Sequence, residues 1–308
     1  EELSNALIDV EYIIHNAAHV GVGQSMYEIE KYIDVNCRGT AILCEEVLKK
    51  KDQIKKVIVA SSMSIYGEGQ YSKANNQLVA PELRSIEQLQ KKQWEVIEDN
   101  EVLSSVPTNE NKPLKPDSIY AISKRDQEEM LLSFGRSYNI PVVAFRYFNV
   151  IGSRQALSNP YTGVAAIFCS RLLNGNAPLI FEDGMQLRDF VHINDVVQAN
   201  MLALQNDDVT NDYFNIGSGE SISIVALASK IQSALSSSIE PEVIEKYRAG
   251  DIRHCYADIS KAKTILNYSP QMTIDDSVAE VTEWVKSQVS DDKVDKSQNE
   301  LLSRDLLT

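Results

Sequence analysis

"KKVIVASS", residues 55–62, is the stretch on which the fold turns. Val57, Ile58, Val59 and Ala60 follow one another without a polar break, and the run stops in two serines. A short, β-branched, uninterrupted apolar run is what a strand buried on both faces requires, as in a parallel sheet covered by helices. Its neighbours agree. Upstream, "DVEYIIHNAA" (9–18) is another short apolar run ending in small residues, with a helix predicted between the two from about Met26 to Lys50. Downstream, "SIYAISKRDQEEMLLSFGRSYNI" (118–140) is strongly helical, and "PVVAFRYFNVIG" (141–152), introduced by Pro141, reads as a third strand. This β-α-β-α-β alternation implies parallel strands joined by right-handed crossovers, hence a doubly wound α/β sheet over residues 1–152.

From about Gly152 the pattern loosens. Helical "GVAAIFCSRLLNG" (163–175), short strands "APLIF" (177–181) and "DYFNIGS" (212–218), and helices near 223–237 and 275–288 suggest a smaller α/β substrate lobe over 153–288, interleaved with the sheet and closing on it. Residues 289–308 form a polar tail, expected to be a mobile extension. Between the second strand and the next helix, residues 70–115 form a long polar insertion, a length at which loops are usually functional or accessory.

The bulk composition narrows the classes. The 308 residues carry a net charge of -14, which argues against nucleic acid as a partner, because phosphate neutralisation needs a basic surface. No eighteen-residue apolar run predicts a membrane span, no signal peptide is visible, and a cytoplasmic location is expected. Cys37, Cys44, Cys169 and Cys255 lack CxxC spacing and the four histidines are dispersed, so no metal site is expected.

Tyr120 and Lys124 stand four apart in the predicted helix, on one face and within reach of a common ligand. A free tyrosine titrates near pH ~10, too high for a base at neutrality, and a nearby cation favours its phenolate. Alone, the pair is also what two surface side chains on a shared helical face look like. Ser61 and Ser62 give it company, because strand ends of α/β sheets present side chains to the ligand crevice. A serine hydroxyl there can bond a substrate hydroxyl and relay its proton.

In order along the chain, "IIHNAA", "DVNCRGT" (34–40), "SSMSIYG", "YAISK", "FRYFNVIG", "LRDFVHINDVV" (187–197), "FNIGSGES" and "RAGDIRHCYADISKA" (248–262) resemble the extended short-chain dehydrogenase/reductase family, in its nucleotide-sugar epimerase/dehydratase branch. The resemblance implies a Rossmann-like sheet and NAD as cofactor. It implies Tyr120 as catalytic base, Lys124 as the lysine that binds the nicotinamide ribose, and Ser62 as the third catalytic residue. Asn16, Ala17, Ala18, Asn36, Ser61 and Phe148 would lie along the cofactor. Ser62, Asn149, Leu179, Ile180, Phe181, Arg188, Arg248 and Asp251 would hold a nucleotide-diphosphate sugar. Arginines suit that task because the planar guanidinium grips phosphate oxygens in pairs.

Dehydratases of this branch carry Asp-Glu after the serine, whereas Met63 and Ser64 stand here, so the resemblance implies epimerisation rather than elimination. "YGEGQY" (66–71), the insertion with "QWE" (93–95), "PTNENKPLKPDSIYAISK" (107–124) and "LSNPYTGVAAIF" (157–168) are similar to dTDP-L-rhamnose 4-epimerases, which interconvert dTDP-L-rhamnose and dTDP-6-deoxy-L-talose. The implied ligand is then a dTDP-6-deoxyhexose and the implied assembly a homodimer. Such proteins often carry cysteine pairs in the insertion; this insertion has none. The glycine-rich turn that opens a sheet of this kind is not in the sequence, "GVGQS" (21–25) having the wrong spacing, and the chain reads as a form lacking the family's N-terminal portion. An NAD(P)-dependent 4-keto-sugar reductase, and a non-catalytic remnant that binds a sugar nucleotide or a protein, are the competing readings. Nothing in the sequence chooses NAD over NADP.

Overall fold

The computed structural model describes residues 2–161, 163–248 and 250–308. Four strands form the central sheet in spatial and chain order: β1 (Tyr12–His15), β2 (Lys56–Ser62), β3 (Val142–Tyr147) and β4 (Asp212–Ile216). All three pairings are parallel. Every residue of β2 is buried, with Val57 opposite Val142 and Ser62 opposite Tyr147, which is why its apolar run is unbroken. Lys56 is the exception in kind but not in burial. Its ammonium donates to the carbonyls of Ala203 (2.8 Å) and Asn206 (2.5 Å), at the negative end of a helix. β1 lies at the sheet edge, and Tyr12 and Ile14 are exposed.

Helices cover both faces. Those of nine residues or more are, in chain order, α1 (Gly39–Leu48), α2 (Ile119–Tyr138), α3 (Val164–Leu173), α4 (Ile193–Gln205), α5 (Ile224–Ala234), α6 (Ile274–Val285) and α7 (Val294–Leu302). α2 begins at Ser118, whose hydroxyl accepts from the Ala121 amide at 3.1 Å, and ends at left-handed Asn139. It approaches the sheet closely at Gly135, where a Cβ would stand 2.6 Å from Val142 Cγ2. α3, α5 and α6 pack into a second core with Phe168, Leu172, Ile180, Leu227, Ile231 and Val281.

The helix expected from about Met26 to Lys50 is present as a continuous helical run over residues 29–48, with a π-helical turn at Ile33–Arg38 ahead of α1. "DYFNIGS", within 153–288, supplies β4 of the central sheet, because Phe214 and Ile216, both fully buried, pair with β3. The tail is not a free extension. Val294, Ser297 and Leu301 recur on one face of α7 and are buried, and Leu307 is buried beyond it. The insertion also folds. Gln70–Ser72 pairs antiparallel with Leu78–Val79 and Ser104–Val106 around Tyr71, Val96 and Leu103. No helix among the described residues is long and apolar enough to cross a membrane.

Candidate active site

The end of β2 and the start of α2 bring the three expected catalytic residues to one corner. Ser62 closes β2, and its Oγ accepts from the Ser64 amide at 3.2 Å and from the Ser64 hydroxyl at 2.9 Å. Tyr120 lies in the first turn of α2, its amide donating to Ser25 Oγ at 3.0 Å. The Tyr32 ring meets the Tyr120 ring edge-on, centroids 6.4 Å apart. Burial pushes the Tyr120 phenol above its ordinary value, and the hydrogen bond with Ser62 acts against that to a smaller extent. A cation close to the phenol is therefore needed before it serves as a base at neutral pH.

Lys124, one turn on, is 3% exposed. Burial brings its ammonium down to about 8, with the Glu128 carboxylate opposing. Its Nζ donates to Gln127 Oε1 at 2.7 Å, the partner it has among the described residues. Three N–H donors with one partner leave two for hydroxyls of a bound ligand.

A buried polar chain that sequence reasoning missed holds this lysine. Gln127 Nε2 reaches Thr40 Oγ1 (2.9 Å), His15 Nε2 (3.1 Å) and the Ala17 carbonyl (3.3 Å). His15 also meets Thr40 at 2.9 Å, and burial together with the Lys124 charge lowers its pKa to about 4, so the ring is neutral. The spacing of Gln127, three after Lys124, was the available signal, but its partners lie about a hundred residues away in sequence.

Asn36 is fully buried and pins the His19 backbone, accepting from its amide (2.7 Å) and donating to its carbonyl (3.0 Å), while also donating to Ser123 Oγ (2.9 Å). Its amide thus positions the loop after β1. The Ser61 side chain, expected along the cofactor, faces α2 and donates to Glu128 Oε2 at 2.6 Å, on the other face of the strand from Ser62 because successive strand residues alternate. Phe148 is buried in the main core with Tyr66, Phe145 and Val191 instead of lining the cleft, and Ile180 likewise belongs to the second core. Asn16 and Ala17 stand exposed just past β1, the Ala17 carbonyl accepting from Gln127.

Beside this corner lies a cavity of about 290 Å³, lined by Met63, Ser64, Ser118, Asn149, Leu179, Phe181, Arg188, Arg248 and Asp251 among others. Arg188 donates to the carbonyls of Leu187 (2.8 Å), Ile252 (2.7 Å) and Arg253 (2.8 Å). Backbone dipoles hold it where no carboxylate is hydrogen-bonded to it among the described residues, so its charge is left for an anionic ligand. The Arg248 guanidinium stacks 4.7 Å from the Phe181 ring centroid, and its Nε donates to Asp251 at 2.8 Å. Asn149 Oδ1 and Gln186 Oε1 are buried at the cavity wall without a hydrogen-bond partner among the described residues, and a ligand would relieve both.

The insertion braces this end of the cavity. Arg84 grips Glu182, the residue after Phe181, through two bonds of 2.9 and 2.8 Å, and Arg253 ties Glu182 (3.0 Å) to Asp183 (2.6 Å) and Glu95 (2.5 Å). At the turn into the insertion, Gly67 is left-handed (φ 67°), and a Cβ there would sit 2.2 Å from the Lys115 carbonyl oxygen. Burial raises nearby Asp117 to about 6.

The parallel sheet and the Tyr-Lys-Ser corner define an enzyme of the short-chain dehydrogenase/reductase kind, with spare donors on Lys124 that fit the ribose hydroxyls of NAD. Residues 1–87 and 95–217 match the NAD dependent epimerase/dehydratase family. Over 281 residues the chain is 34% identical to dTDP-L-rhamnose 4-epimerase of Burkholderia thailandensis, spanning 91% of this chain and 76% of that protein. Among solved structures, UDP-N-acetylglucosamine 4-epimerase of Methanobrevibacter ruminantium M1, in complex with UDP-N-acetylmuramic acid, superposes with a TM-score of 0.76 at 32% identity, over 94% of this chain and 81% of that one. UDP-glucose 4-epimerase of Thermotoga maritima with UDP-glucose gives a TM-score of 0.76 at 28% identity, over 92% of this chain and 81% of that one. The chain belongs to the NAD dependent epimerase/dehydratase family, and it is an enzyme of the nucleotide-sugar epimerases within it.

Proposed function

We propose that this protein epimerises C4 of a dTDP-6-deoxyhexose, interconverting dTDP-L-rhamnose and dTDP-6-deoxy-L-talose, as a cytoplasmic homodimer. The observation that carries the reading is the pairing of the Tyr120–Ser62 corner with a cavity whose far wall is Phe181, Arg188 and Arg248. Met63 and Ser64 line the same cavity where an eliminating enzyme needs carboxyl groups, which favours epimerisation over dehydration. The likeness to the Burkholderia thailandensis enzyme supports the choice of sugar.

In this reading the nucleotide base lies against Phe181 beneath Arg248, and Arg188 faces the diphosphate. Asn149, with its free carbonyl oxygen, accepts from a ligand hydroxyl or ring N–H. Tyr120 as phenolate takes the proton of the C4 hydroxyl, and Ser62, held by Ser64, hydrogen-bonds that hydroxyl and steadies it. Bound NAD supplies a reversible hydride acceptor and the positive charge that favours the phenolate. Lys124 keeps that charge company and orients ribose hydroxyls. The 4-keto sugar turns about its diphosphate while the nucleotide stays anchored, so binding energy remote from C4 retains it. Once the keto sugar has turned, the hydride held by the cofactor would return to the opposite face of C4, and Tyr120 gives its proton back to the C4 oxygen.

The test is to incubate the purified protein with dTDP-L-rhamnose, without added reductant, and to resolve the 6-deoxy-L-talose product. A strict requirement for stoichiometric NAD(P)H would point to a 4-keto reductase, and absence of turnover with sugar-nucleotide binding intact would point to a non-catalytic binder.

A further inference from the structure

Residues 291–308 lie across the cavity as a strap, and nothing in the family chemistry above uses them. Val294, Ser297, Gln298 and Leu301 of α7 line the same cavity as Ser64, Ser118 and Arg188. Three separate sets of contacts hold the strap down. At its start, Arg171 of α3 pairs with Asp295 (3.1 Å) and Asp292 (3.4 Å), and Asn176 donates to Asp292 at 2.7 Å. In its middle, the Tyr161 hydroxyl donates to Glu300 at 2.5 Å, and the Tyr27 hydroxyl lies 2.7 Å from Tyr161 and 3.0 Å from Glu300. Arg304 caps this cluster, stacking 4.2 Å from the Tyr27 ring centroid. At its far end, Thr308 exchanges two backbone hydrogen bonds of 3.1 Å with Tyr247, the residue before Arg248.

Along this path, Val294 lies toward Arg171, whose Nε bonds the Ala177 carbonyl just ahead of the Leu179–Phe181 wall. Leu301 lies toward Gly23, which lines the cavity beside Ser118, the cap of the helix that carries Tyr120. Gln298 falls between these two ends. Its Nε2 is buried and has no hydrogen-bond partner among the described residues. An amide donor left orphaned inside a cavity costs free energy unless a ligand acceptor meets it.

We propose that Gln298 is a binding residue for the sugar nucleotide, its Nε2 donating to the diphosphate or to the adjoining sugar, and that the strap retains the ligand while the sugar turns. The inference rests on the reading that this cavity takes a nucleotide-diphosphate sugar. Retention matters more for an epimerase than for an enzyme that releases its first product, because the keto intermediate must stay bound through a rotation. The strap forms part of the cavity wall, so a ligand held there leaves more readily once these contacts loosen. The masking of bulk water by Leu301 and Val294 strengthens each polar contact inside.

Calorimetric titration of the protein with dTDP-L-rhamnose tests both parts. Gln298→Ala should weaken binding about tenfold, the loss of one hydrogen bond to a charged or polar group. Gln298→Glu keeps the size and helix but sets a carboxylate against the ligand, and should weaken binding by more than Gln298→Ala does. Both variants should melt at the wild-type temperature. Glu300→Gln, which loosens the middle latch from a residue that does not itself line the cavity, should raise the dissociation rate and leave the association rate near wild type. Amide hydrogen exchange in residues 294–302 should slow on adding the ligand. Wild-type affinity in both Gln298 variants overturns the binding role, and unchanged exchange and dissociation overturn the strap. No binding by the wild-type protein overturns the sugar-nucleotide reading itself and the proposal with it.

Discussion

Glu128 of α2 and Arg146 of β3 form a buried ion pair beneath the candidate active site, the shortest contact being 2.6 Å with both side chains no more than 3% exposed. Ser61 completes the carboxylate from the strand beside it (2.6 Å), and the Tyr66 hydroxyl accepts from Arg146 at 2.8 Å. The pair therefore fixes the height of α2 over the sheet, and with it the positions of Tyr120 and Lys124. Truncating one partner leaves the other charge buried and uncompensated, at a cost of about 3–5 kcal/mol. Glu128→Ala should lower stability by that amount in urea unfolding, and adding Arg146→Met should recover part of it. A Glu128→Ala variant within 1 kcal/mol of wild type (about, by the same reckoning) would contradict this role.

Tyr120→Phe removes the proton acceptor and its hydrogen bond with Ser62, while the ring keeps its edge contact with Tyr32. Loss of a general base lowers turnover roughly 10²–10⁴-fold. Sugar-nucleotide affinity, measured by calorimetry, should stay near wild type. Retained turnover would dismiss Tyr120 as the base.

His15 offers a pH dependence with a definite sign. Its folded-state pKa is about 4, lowered from 6.5 first by burial and then by the Lys124 charge. Between those values the unfolded chain binds a proton that the folded chain refuses, so stability falls as pH falls. The contribution is complete above pH 6.5 and gone once pH has dropped through about 4, a loss of about 3 kcal/mol. His15→Asn removes this linkage. The gap in unfolding free energy between wild type and variant should therefore shrink in favour of the variant from pH 7 to pH 4, by roughly that amount. A constant gap would show that His15 does not titrate abnormally.

Gly67→Ala should be poorly tolerated. Its φ of 67° and the 2.2 Å and 2.4 Å approaches to the Lys115 carbonyl and Asp117 Oδ2 leave no room for a Cβ. Backbone strain and overpacking together cost on the order of 2–5 kcal/mol. Thermal unfolding would register this as a clear drop in melting temperature, and an unshifted melt would mean that the turn rearranges freely.

Arg84→Met removes one of the ties between the insertion and the nucleotide wall, while Arg253 still neutralises Glu182 at 3.0 Å and holds Glu95. Weaker bracing of Phe181 should raise KM for the sugar nucleotide several-fold and leave kcat close to wild type, the pattern of lost uniform binding. An equal fall in kcat would place the effect at the reacting carbon instead.

Much of this architecture was legible in the residues. The unbroken apolar run of β2, the Ser118 cap and the fourfold spacing of Tyr120 and Lys124 are local signals, set by side-chain burial, a single hydrogen bond and the pitch of a helix. The order of strands and the strand-end serine follow from them. The rest depends on partners distant in sequence. Phe148 belongs to the core and Ser61 to the Glu128–Arg146 pair because of what packs against them, which no local pattern encodes. "DYFNIGS" has the same short apolar look whichever sheet it joins, and its place as β4 came from pairing with β3. The polar tail looked free because its apolar residues are sparse, yet Val294 and Leu301 find a cavity wall made by residues more than a hundred positions earlier. Periodicity and capping wrote the elements and the Tyr-Lys pair into the sequence; long-range packing alone decided which neutral histidine, buried carboxylate and orphaned amide surround that pair.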